Sequence, residues 1–183
     1  VVRLEHMRER AAQCAAEDRW QEAYRLLSDA LALWRGEALA DVGGPFAARH
    51  RARLAEIRLA TVESRAEAAL AAGRAEEVVD ELRRLVAEHP TRERTRGLLM
   101  SALHAGGRSE EALAVYADAE RVLAGELGIE PGPALRSVRE AIQQDMRSLS
   151  PWQDAGLRPS APAPFVGRAQ AMAALRDHLV RLA

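Results

Sequence analysis

A five-residue phrase that returns after a fixed interval constrains this chain more than any other feature. Gly73-Arg74-Ala75-Glu76-Glu77 comes back as Gly107-Arg108-Ser109-Glu110-Glu111, 34 residues later. An interval of that size belongs to stacked units, each a helix, a tight turn and a second helix. In the shared register Val78 matches Ala112, Leu82 matches Tyr116 and Leu85 matches Ala119. These are the small-large-small positions through which neighbouring helices interlock. A third copy lies upstream, where Ala23, Leu27 and Ala30 follow Asp18-Arg19-Trp20 at the same offsets. Its distance to Val78 is one period plus 21 residues, which places an insertion between Trp34 and about Leu54.

Three copies are about the minimum that buries a continuous core in an open stack. The period therefore predicts an all-α, tetratricopeptide-like right-handed superhelix of three helix pairs, one enlarged, closed by a C-terminal capping helix. Helices are expected over 2–16, from an Asp18 cap to about Trp34, then over about 46–72, 75–88, 92–105, 109–124 and 134–148. Gly73 and Gly107 are read as C-terminal caps, Thr91 as the N-cap of the fifth helix, and Gly125 to Pro133 as a rigid connector. Trp20, Leu26, Leu27, Leu31 and Trp34 are the expected large core residues of the second helix. Leu135, Val138, Ile142, Met146 and Leu149 share one face of the last.

The 183 residues with 48% apolar content suffice for one domain and not for two large ones. No apolar run is long enough to cross a bilayer, and Val1 starts no signal pattern, so a cytoplasmic protein without membrane contact is expected. Val1 not being a methionine suggests a piece of a longer chain. The single cysteine, Cys14, falls on the packing face of the first helix and reads as a small hydrophobe. All 26 basic residues are arginine, and neither lysine nor asparagine occurs, which removes Schiff-base and phosphate-loop chemistry. A net charge of −1 is not that of a stand-alone nucleic-acid binder.

Candidate sites are sparse. The five histidines have no metal-ligand spacing, no nucleophile has a base partner, and no cofactor loop exists; hence no catalytic, cofactor or metal residue is assigned and no enzyme is expected. Arg51, Arg58 and Arg65 recur every seven residues and form a line on the long third helix. A phosphate-binding stripe competes there with a salt-bridged solvated face, and Glu56, Glu63 and Glu67 favour the second reading. His104, at a helix end where the dipole favours a cation, reads as a surface histidine.

Longer motifs point to a family. Trp34-Arg35-Gly36-Glu37-Ala38-Leu39-Ala40-Asp41-Val42, Arg53-Leu54 with Ile57-Arg58-Leu59-Ala60, Glu88-His89-Pro90 with Arg92-Glu93-Arg94, and Glu126-Leu127-Gly128-Ile129-Glu130-Pro131-Gly132-Pro133 together resemble the bacterial transcriptional activator domain of SARP/AfsR-type regulators over about residues 1–148. The resemblance implies a winged helix-turn-helix DNA reader upstream of Val1, dimeric action at promoters and contact with the transcription machinery at biosynthetic genes. By analogy with other tetratricopeptide proteins, the first helices of the repeats would line a groove, with Glu63, Glu67, Arg94, Ser101, His104, Arg51 and Arg58 as partner-binding residues for RNA polymerase or a second copy in a homodimer. Residues 149–164 have the composition of a proline-rich linker. Pro164-Phe165-Val166-Gly167-Arg168 resembles the entry to a STAND/NB-ARC-type nucleotide-binding domain over 165–183, without the glycine-rich loop and lysine that nucleotide binding needs. A generic tetratricopeptide scaffold or adaptor, unconnected with transcription, is the alternative.

Overall fold

The computed structural model describes residues 2–34 and 43–148, and every regular element among them is helical. In chain order these are α1 (Val2–Ala16), α2 (Trp20–Ala32), α3 (Pro45–Ala71), α4 (Glu76–Glu88), α5 (Glu93–Ala105), α6 (Ser109–Leu127) and α7 (Pro133–Ser148). The expected succession of seven helices is present among the described residues. No helix among the described residues is long and apolar enough to cross a membrane. The expected linker at 149–164, the domain entry at 165–183, residues 35–42 of the family motif and Leu149 lie outside the described residues.

The repeat register is borne out by packing. Ala23, Leu27, Ala30, Val78, Leu82, Ala112, Tyr116 and Ala119 are all buried, and only Leu85 is half-buried. The recurrent glycines act as expected: Gly73 and Gly107 take φ of +74° and +79°. There the next amide reaches back to a carbonyl five residues earlier, Arg74 N–H to Ala69 O at 2.8 Å and Arg108 N–H to Leu103 O at 2.8 Å. A glycine reaches this left-handed region without the Cβ clash that an L side chain meets.

The chain divides into two compact units, one up to Arg74 and one from Ala75 onward. In the first, α2 packs on α1 and α3. Its core joins Ala11, Cys14, Ala23, Leu27 and Ala68, with Trp20, Tyr24 and Leu26 partly buried against it. Cys14 is thus the small hydrophobe expected. Small residues let the helix axes approach closely, and the aromatic rings close the seam at its rim. Leu31 and Trp34, expected in the core, are half-buried. Asp18 does not cap α2: the N-cap is Arg19, with no side-chain cap bond. Asp18 instead sits at φ +56° in the α1–α2 turn and accepts a hydrogen bond from Trp20 Nε1 at 3.1 Å.

Burial along α3 is uneven. From Leu59 to Leu70 eight residues are buried, among them Thr61, whose hydroxyl donates to the Ile57 carbonyl at 2.6 Å. From Pro45 to Arg58 only Ala47 is buried. The first half of α3 therefore stands largely in solvent.

In the second unit α5 is the hub, packed on α4, α6 and α7. Every residue from Thr95 to His104 is buried. A helix enclosed on all sides departs from the simple one-face pattern, and its polar members must find partners inside. Thr91 does not cap α5; Arg92 occupies that place without a side-chain cap bond. α6 runs on past Gly125 to Leu127 and ends at Gly128, φ +67°, so the connector is shorter than expected. On α7, Leu135, Val138 and Ile142 are buried as expected, while Met146 is half-buried.

Candidate protein-docking site

Three polar anchors hold α5, α6 and α7 in place. The first is Arg96, only 1% exposed. Its Nε donates to the Pro90 carbonyl at 2.7 Å, and its Nη1 reaches Asp118 Oδ2 at 2.9 Å and the Val115 carbonyl at 3.4 Å. The guanidinium therefore pins the α4–α5 turn to the middle of α6. That contact, followed by one from Arg121, holds the Asp118 carboxyl below its ordinary range. His104 is the second anchor and is not the surface histidine expected. It is 9% exposed, with Nδ1 2.8 Å from Ser109 Oγ and Nε2 3.3 Å from Asp145 Oδ2. The ring ties the end of α5 to the start of α6 and to α7. Third, Glu93 Oε2 accepts the Gly132 N–H at 2.6 Å and fixes the elbow before α7.

This framework sets α7 close against α5. Gly97 faces Leu135 and Val138 so nearly that a Cβ there would lie 3.6 Å from the Leu135 Cδ1. Between α6 and α7 it leaves a cleft of about 370 Å³ lined by Tyr116, Glu120, Ala124, Ile129, Glu130, Pro131, Arg136 and Arg139. The Arg139 guanidinium lies 4.5 Å from the centre of the Tyr116 ring. Its approach to Glu120, 3.7 Å, and that of Arg136 to Glu130, 3.9 Å, are longer than hydrogen bonds. Burial raises the Tyr116 hydroxyl pKa first of all, and the Arg139 charge works against that rise. Beside the cleft, Leu127 and Ile129 are 55% and 49% exposed. The cleft thus sets two loosely paired arginines beside Tyr116 and the exposed Ile129.

The sequence-predicted site residues divide by burial. Glu63 has no exposed surface, and Ser101 and His104 are interior. These three belong to the core of their units and not to an open groove. Arg58 and Arg94 are exposed, and Arg51 and Glu67 half-buried. Arg51, Arg58, Glu63 and Glu67 stand on α3, whereas Arg94, Ser101 and His104 stand on α5. Along the α3 line Arg51, Arg65, Glu56, Glu63 and Glu67 each have a bonded or electrostatic partner, whereas Arg58 is exposed and makes no ion pair among the described residues, and Glu63 is buried rather than on a solvated face. Sequence reasoning missed the α6–α7 cleft because Tyr116 lies more than twenty residues from Arg139. The signal available was the Gly128-to-Pro133 elbow, which turns α7 back on α6.

Among the described residues, seven helices in this succession, with the repeat positions buried, define a tetratricopeptide-like all-α domain. A family model described as bacterial transcriptional activator domain matches residues 1–143, and the chain belongs to that family. Among its relatives, the regulatory protein AfsR of Streptomyces griseus is 52% identical over 128 residues, covering 70% of this chain and 13% of AfsR. AfsR of Streptomyces coelicolor is 46% identical over 165 residues, covering 84% of this chain and 17% of that protein. The transcriptional regulatory protein EmbR of Mycobacterium tuberculosis is 40% identical over 129 residues, covering 70% of this chain and 33% of EmbR. A solved structure of that EmbR in complex with a low affinity phosphopeptide superposes with a TM-score of 0.75 at 30% identity, over 98% of this chain and 43% of EmbR. The expected all-α fold class is thereby borne out, and the domain is of the kind found in transcriptional activators. The chain spans less than a fifth of the two AfsR proteins.

Proposed function

We infer that this domain is the protein-docking part of a DNA-binding transcriptional activator of biosynthetic genes, acting in the cytoplasm. The observation that carries the reading is the α6–α7 cleft, where the exposed Ile129 lines the same space as Arg136 and Arg139, with the exposed Leu127 two residues before it in the chain. Exposed aliphatic side chains next to arginine and tyrosine are the residue types that anchor protein interfaces. Its partner is RNA polymerase or a second copy of the chain, and Arg94 and Glu67 supply further accessible contacts. Glu63, Ser101 and His104 support the domain from inside. DNA is held by a winged helix upstream in the parent protein, and residues 165–183 open a nucleotide-binding domain, both on the family resemblance.

The test immobilises the 183-residue chain and passes RNA polymerase holoenzyme over it, with sedimentation velocity of the free chain measuring self-association. Retention of polymerase or a concentration-dependent dimer, lost in L127D/I129D while helicity is kept, supports the reading. If the chain stays monomeric and retains no polymerase, or the double variant changes neither result, the cleft is not the docking site.

A further inference from the structure

The exposed first half of α3 holds a charge that the net balance of the chain conceals. Between Pro45 and Arg58 there are four arginines, Arg49, Arg51, Arg53 and Arg58, against one acid, Glu56. Among the described residues, Arg49, Arg53 and Arg58 form no ion pair, whereas Glu56 already has an interaction of its own. Unpaired arginines in solvent stabilise no fold contact, and their mutual repulsion along one helix opposes helix formation slightly. Their placement has a shape. Arg49 and Arg53 are one turn apart on one flank, and Arg58, nine residues beyond Arg49, falls about half a turn round and roughly 13 Å further along the axis. The face between them on one side carries Ala48, Ala52 and Ala55, all exposed, and the opposite face carries His50, Leu54 and Ile57, half-buried.

We propose that this half-helix is a sequence-independent contact for the phosphates of duplex DNA, made by the activator domain itself. An acidic protein patch meets one side of a helix, and positive charge on both flanks would then be half wasted. A duplex groove presents phosphates on both sides at once. The DNA major groove is about 12 Å wide, and a helix with its side chains measures about 10–12 Å. Only Ala47 is buried from Pro45 to Arg58, and the half-buried His50, Leu54 and Ile57 lie away from the alanines, so the alanine face and both arginine flanks are open to a groove. The stretch contains no asparagine or glutamine to read adenine, and the face between the arginine flanks carries alanines, which offer no hydrogen bond to a base, so the arginines on the flanks are left to the phosphates. The inference uses other residues than the α6–α7 cleft and does not rest on the docking reading.

Fluorescence anisotropy of a labelled 20-base-pair duplex of arbitrary sequence, titrated with the 183-residue chain at several salt concentrations, tests it. Three neutralised phosphates give a slope of log K against log salt of about −2.7, or roughly 40-fold weaker binding at 200 mM than at 50 mM salt. The variant R49Q/R53Q/R58Q is expected to lose this slope with helicity unchanged, and R83Q/R84Q on α4 to keep it. Absence of duplex binding by the unaltered chain, or an unchanged slope in the triple variant, overturns the proposal. So does a poly-glutamate peptide that binds as tightly and is lost in the same variant, because it assigns the surface to acidic protein.

Discussion

Replacing Arg96 by methionine keeps most of the buried stem and removes the guanidinium, so it isolates what the polar anchor contributes. The Pro90 carbonyl loses a charge-assisted hydrogen bond of 2.7 Å, a loss of about 1.5–3 kcal/mol. The Val115 contact, at 3.4 Å, adds little. Asp118 is 42% exposed and also held by Arg121, so its carboxylate rehydrates, and the ion pair with Arg96 adds about 1 kcal/mol at most. Methionine regains part of this, because no charge need then be desolvated. The net expectation is a loss of about 2–3 kcal/mol, and R96A should lose more through the cavity it leaves. Amide hydrogen exchange resolves the effect: α5 and α6 peptides should exchange roughly 30- to 140-fold faster at neutral pH, at tenfold per 1.4 kcal/mol. The pH dependence has a definite sign. Asp118 has a folded pKa below its unfolded one, so its contribution is complete above the unfolded value and is lost as pH falls through the folded value. The gap between the parent chain and R96M should narrow over that acidic window. Equal exchange at neutral pH, or slower exchange in R96M, would refute the view that the polar contacts outweigh the desolvation of the buried charge.

Other substitutions test the remaining supports. H104F leaves Asp145, 16% exposed, without its ring partner and should lower Tm by about 4–8 °C, with the fastest new exchange in α7; an unchanged Tm removes His104 as an anchor. G97A places a methyl in ordinary contact with Leu135 and gains helix propensity of up to about 1 kcal/mol, so Tm should rise by about 2–4 °C, whereas G97L overpacks the α5–α7 seam and should lower it; a destabilised G97A contradicts the stated spacing. G128A forces an L side chain to φ +67° and should reduce stability by about 1–2 kcal/mol in urea unfolding, a loss absent if the turn relaxes.

What the sequence determined by itself was the periodic part of the molecule. The 34-residue recurrence, the small-large-small positions and the two turn glycines depend on local backbone geometry and on the spacing of one helix face, and both are written in consecutive residues. The caps at Asp18 and Thr91 failed because the next residues, Arg19 and Arg92, hold the N-cap positions. Tertiary structure decided the rest. Burial of α5 on all sides made His104, read as a surface histidine, an interior anchor and enclosed Arg96 as well, through partners as far away as Asp145 and Asp118. The Gly128–Pro133 elbow brought Arg136 and Arg139 beside Tyr116. The exposure of α3 before Leu59 likewise followed from which helices reach it. A residue type states what a side chain can bond to, and only the folded neighbourhood settles whether water or another helix is there to meet it.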